Sequence, residues 1–175
     1  MGHFLTATTI HISLIGYLLA VVCWITGRRN TPYRILWTMG CLFLFVHAMC
    51  AFHFYLNWSN AEAIALTAQQ TEEIVGVRFG NGIYFSYLLI AIWAADVALV
   101  WRDHISKGYE FHRSTWFSYV VHAYAFFILF NGTVVFESGA VQLGGLIGTI
   151  WLARLLWRFR KHRFPAPEPR KPSVG

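Results

Sequence analysis

The sequence predicts an all-α, polytopic membrane helix bundle of about five transmembrane helices, with one further helix lying at the outer membrane surface. Three observations predict it. At 57% hydrophobic and only 13% charged residues, the chain has too little polar surface to cover a soluble globule of 175 residues. Apolar runs of about 20 residues, the length that crosses a hydrocarbon core, recur along it. The basic residues gather in alternate connections between those runs, the signature of a polytopic topology.

The first span is residues 7–26, ATTIHISLIGYLLAVVCWIT. It does not read as a secretory signal, because no basic region precedes it and no small-residue cleavage site closes it. Met1-Gly2 with Thr6 fits the loose myristoylation pattern, but the topology derived below puts this end away from the cytosol. The second span, residues 35–56, runs into a corner at which Ser59 and Glu62 form a capping box. A helix over residues 60–75 should follow, closed by Gly76, which tolerates the left-handed conformation of a helix C-cap. It is too short and polar to span. Glu62, Gln69, Glu72 and Glu73 give it a wet face, and Ile64, Ala68 and Val75 a weak apolar one, so it reads as interfacial.

The third span, residues 83–101, is interrupted only by Asp96, and Gly80-Asn81-Gly82 reads as the turn that starts it. The fourth, residues 116–136, carries His122, and the turn Glu137-Ser138-Gly139 makes it a hairpin with the fifth, residues 141–159. Gly144 and Gly148 at the start of that span form a GxxxG pattern, which lets backbones approach closely. Its partner is span four of the same hairpin or a second protomer. Residues 1–164 thus make a single transmembrane domain, and residues 165–175 a Pro-rich, disordered tail.

Orientation follows from Lys and Arg. Thirteen of them, including Arg28, Arg29, Arg34, Arg102, Lys107 and Arg113 and all seven from Arg154 to Lys171, fall on one side, and only Arg78 on the other. The positive-inside rule therefore puts the N-terminus and the corner helix outside and the tail in the cytoplasm, as in a bacterial inner-membrane protein. The net charge of +6 accordingly points to anionic lipid headgroups at the cytoplasmic face, not to nucleic acid. Trp37, Trp101, Trp116 and Trp157 are placed in an inner aromatic belt. Cys23, Cys41 and Cys50 all lie within spans and read as buried apolar fillers, with no disulfide framework. The sequons at Asn57 and Asn131 lie almost at the membrane edge, where little glycosylation is expected.

Ionisable groups are costly enough inside a bilayer that each needs a partner or a role. Asp96, His122 and Arg154 share an inner layer. An Asp96–Arg154 ion pair with His122 beside it would be structural glue for three helices, and a proton relay is the functional alternative. In an outer layer, His11 and His53 fall at matching depths, with Glu137 rising at the top of span four and Glu62, Glu72 and Glu73 delivered by the corner helix. His47 is a third histidine if packing turns it inward.

Histidines and carboxylates at one depth suit a transition metal (iron, copper or zinc), and a histidine pair on facing helices suits haem b. Histidines satisfied by headgroups and backbone carbonyls are the bland alternative. Soluble-enzyme signatures are absent: no GxSxG, P-loop or GxGxxG is present. Three functional readings follow. One is a small redox or metal-binding membrane protein; another is a non-catalytic accessory subunit of a larger membrane complex or homo-oligomer; the weakest is a transporter or proton-conducting unit, since the chain has no inverted repeat or unwound helix centre.

Overall fold

A computed structural model describes residues 1–28, 31–105, 114–136 and 139–163. The protein is an all-α bundle of six helices, with no strand among the described residues. α1 (Gly2–Ile25) begins five residues before the expected start. The hydroxyls near this end turn back on the helix: Thr6 Oγ1 donates to the Gly2 carbonyl and Thr9 Oγ1 to that of Leu5, so neither leaves an unmet polar group. α2 (Thr31–Phe54) carries Pro32 in its first turn, where the missing N–H has no partner to lose.

α1 and α2 lie antiparallel and unusually close. Gly2 sits under the Phe54 ring, and the Ser13 hydroxyl donates to the Gly40 carbonyl at 2.7 Å. A methyl added at Gly16 would stand 3.0 Å from the Gly40 amide nitrogen, and one at Gly40 would stand 3.2 Å from that of Tyr17. Gly16 and Gly40 thus form the close backbone crossing that membrane helices build from small residues.

α3 (Asn60–Val75) has the expected bounds. The Ser59 hydroxyl accepts the Glu62 N–H, and Gly76 ends the helix at φ 75°. Only half of the capping box closes: the Ser59 N–H donates to Leu56, and the Glu62 carboxylate accepts from the Asn57 amide. α3 lies against a 3₁₀ turn, Gly80–Gly82, and the start of α4 (Ile83–Ile105). Asn60 bonds both Tyr84 and Tyr87, Thr71 bonds the Phe79 carbonyl, and Gly80 has no room for a side chain against Ile64. Of the apolar face expected here, Ala68 is buried and Val75 exposed.

α5 (Thr115–Phe130) continues as one π-helical turn, Asn131–Val135, and α6 (Ala140–Arg163) returns beside α1. Four helical segments are long and apolar enough to cross a membrane: Gly2–Ile25, Thr31–Phe54, Gly80–Ile105 and Trp116–Val135. α6, the fifth expected span, matches α1 in length but carries Gln142, Arg154 and Arg158 and is not among the four.

The core sits on one stripe of each helix. On α2 it is Tyr33, Trp37, Gly40, Cys41 and Leu44; on α4 it is Leu89, Trp93, Asp96 and Val100. Both follow the spacing of three and four residues that marks one helix face. Trp37 is therefore a core residue and not a member of the inner belt, whereas Trp116 and Trp157 are exposed as belt residues should be. Cys41 is buried, Cys23 and Cys50 are half-buried, and all three thiols are free.

Candidate functional site: a groove between α1, α5 and α6

The outer histidines and carboxylates among the described residues are each engaged locally. His11 Nδ1 donates to the Ala7 carbonyl at 2.6 Å, and His47, half-buried and turned onto α1, donates from Nδ1 to the Thr6 carbonyl at 2.9 Å. His53 is exposed at the end of α2, with its ring against Phe54 and Trp58. Glu62 accepts from Asn57, Glu73 accepts from Gln69, and Glu72 forms an exposed ion pair with Arg78 at 3.6 Å. Glu137 lies outside the described residues.

Among the described residues no three His, Cys, Asp or Glu side chains are gathered so as to hold a metal. The helix register explains why. Residues 2, 6 and 13 of α1 stand opposite 54, 47 and 40 of α2, which sets His11 level with residues near 43. His53 is then roughly 14 Å farther along the bundle at about 1.5 Å per residue. The depth match rested on a first span starting at residue 7; with the helix starting at Gly2, His3 is the α1 histidine level with His53. A haem b or metal site shared by His11 and His53 therefore has no support in the geometry.

The inner layer is an aromatic box. Asp96 is fully buried and accepts the Trp37 indole N–H at 2.8 Å. The His122 ring lies 4.4 Å from the Trp37 ring and 4.6 Å from that of Trp24, and its Nε2 is 3.3 Å from the Tyr33 hydroxyl. The Tyr17 hydroxyl donates to the His122 backbone carbonyl, and Tyr33 stacks on Trp37. Arg154 is exposed on α6 and makes no ion pair with Asp96. An indole on α2 thus holds the carboxylate where a cation on α6 was expected. The side chains of the box are all buried.

Open space lies elsewhere. α1, α5 and α6 enclose a half-open groove of about 280 Å³. Leu14 and Leu18 line it from α1, Phe126, Leu129 and Phe130 from α5, and Leu152 from α6. His11 stands at its rim with Thr133 and Thr149, but both hydroxyls are spent on carbonyls of their own helices.

The groove arises from how α6 meets α5. Thr133 and Val134 of the π turn lie against α6, where a methyl on Gly145 would stand 2.8 Å from Val134 and 2.9 Å from Thr133. Contact is made there, at Gly145, and not at the GxxxG pair expected to face span four. Gly148 instead faces Leu18 of α1, and Gly144 faces open space in the groove. A π turn of this kind is rare and is frequently found at functional sites. Compared with protein-family models, curated proteins and solved structures, the chain matches none.

Proposed function

We propose that this is a non-catalytic, membrane-embedded binding protein that takes a lipophilic molecule into the α1–α5–α6 groove. The observation that carries the reading is the groove itself: apolar walls, a glycine edge open at Gly144, and a π turn in the wall beside it. Small-molecule sites are concave and mostly apolar with few polar groups, and between the helices of a bundle is one of their usual places. Among the described residues, Glu62, Glu72 and Glu73 are used in local bonds and the Asp96 carboxylate accepts from the Trp37 indole.

The test is to purify the protein in a mild detergent, extract it with organic solvent and identify what is released by mass spectrometry. A stoichiometric lipophile is expected from wild type and should fall severalfold in Gly144→Leu, which fills the groove without meeting a neighbour at its Cβ. A protein co-purifying in its place, and lost in the same variant, would make the groove a seat for a partner's helix and the chain an accessory subunit. Wild type that releases nothing defined and captures no partner would refute the reading.

For topology we propose five crossings, N-terminus outside and C-terminus in the cytoplasm of a bacterial inner membrane, where basic residues meet anionic headgroups. The thirteen-to-one distribution of Lys and Arg supports it. So does α6, which runs beside α1 and places Leu152 in the core shared by the spanning helices.

A further inference from the structure

We infer that the occupant of the groove is a single-chain lipid headed by a hydroxyl group, with His11 Nε2 as the acceptor of that hydroxyl. This rests on the reading of the groove just proposed. His11 lies nine residues into α1, about 13 Å from its first residue at 1.5 Å per residue. In a helix about as long as a bilayer is thick, that is well inside the hydrocarbon, and a side chain as short as histidine does not reach water from there. Its exposed surface therefore faces lipid or the groove.

Nδ1 faces a carbonyl oxygen, which only accepts, so Nδ1 carries the proton. The neutral imidazole then presents a lone pair on Nε2, for which no partner exists among the described residues. A polar atom left unmet in an apolar medium is costly. Neither lining threonine donates to Nε2, because each gives its proton to its own helix. The groove thus asks for a donor at one end and a chain along the rest. A hydroxyl supplies the donor without carrying a charge into the hydrocarbon, which an ammonium headgroup would do. At about 280 Å³ the groove is at the small end of ligand pockets, room for one chain and not for a two-chain phospholipid.

The experiment measures binding of radiolabelled farnesol and of its methyl ether to the protein in nanodiscs, with empty nanodiscs subtracted. The two probes share the chain and differ in the donor. Wild type should prefer the alcohol by roughly three- to tenfold, the range that one net hydrogen bond supplies. His11→Phe should abolish the preference, since alcohol and ether then both lack the acceptor. His11→Gln, which restores an acceptor oxygen at about the reach of Nε2, should recover part of it. Equal binding of alcohol and ether by wild type would overturn the hydroxyl inference and leave the groove standing. A preference that survives His11→Phe would overturn the role of His11. Failure of wild type to bind either probe above empty nanodiscs would overturn the lipid groove itself, and the inference with it.

Discussion

The substitution that tests the fold most directly is Gly16→Ala, because its consequence follows from distances. The new methyl would lie 3.0 Å from Gly40 N, 3.1 Å from Gly40 Cα and 3.2 Å from the Leu36 carbonyl oxygen. Carbon atoms prefer about 3.5–4.0 Å. All three neighbours are backbone, so no side chain swings aside and the two helices have to part. Overpacking of this kind costs about 1–3 kcal/mol, and stretching the Ser13 to Gly40 hydrogen bond removes up to about 1 kcal/mol more. Alanine's better helix propensity returns roughly 1 kcal/mol. The expected net loss is about 0–3 kcal/mol, against a gain of roughly 1 kcal/mol in a variant that meets no neighbour. Gly144→Ala is the matched control, since a methyl there meets nothing within 4 Å and only the propensity gain remains. Unfolding in mixed micelles with rising SDS, followed by the fluorescence of buried Trp37 and Trp93, reads both variants. If Gly16→Ala proves no less stable than Gly144→Ala, the Gly16–Gly40 crossing is wrong.

Three further outcomes are expected. Asp96→Leu should cost about 1–3 kcal/mol, since it leaves the buried Trp37 indole without its acceptor; it should couple to Trp37→Phe in a double-mutant cycle, yet add to Arg154→Leu within about 0.5 kcal/mol. Ser59→Ala should cost about 1 kcal/mol of helix stability at the start of α3, seen as faster hydrogen exchange at Glu62 with the rest of the bundle unchanged. A cysteine introduced at Ser173 should react with an impermeant reagent only after the cells are opened, and labelling in intact cells would reverse the proposed orientation.

Much of the fold was legible because it depends on local signals. The Ser59 cap and Gly76 mark both ends of α3 to the residue, since each is a requirement of backbone geometry and not of packing. Four of the five expected spans were legible for a similar reason: an apolar run long enough to cross has few other fates. The start of α1 has no such mark: the expected span covers residues 7–26, but a hydroxyl returned to the preceding turn costs a membrane helix little, so α1 runs on through Thr6 to Gly2. Glycine gave no local mark either. The sequence offers a GxxxG on α6, and nothing local distinguishes it from Gly16 and Gly40, which lie on different helices and meet only once α1 and α2 pack.

The candidate site was less legible because it depends on register. Five residues of error in the start of one helix change its length by about 7.5 Å, about half of the offset between His11 and His53, and the pairing of α1 with α2, which the sequence does not show, supplies the rest. The aromatic box left a usable signal, since Tyr33, Trp37 and Cys41, like Trp93, Asp96 and Val100, recur at core spacing, but a tryptophan near a span end is read by habit as interfacial. The groove left almost none. It exists because α5 takes one π turn and α6 answers with Gly145, a compensation between two helices that neither sequence segment announces alone. Once the backbone is known, the polarity of its rim becomes interpretable. A histidine in hydrocarbon needs both ring nitrogens met; α1 meets one of them, and on the reading proposed above the groove's occupant meets the other.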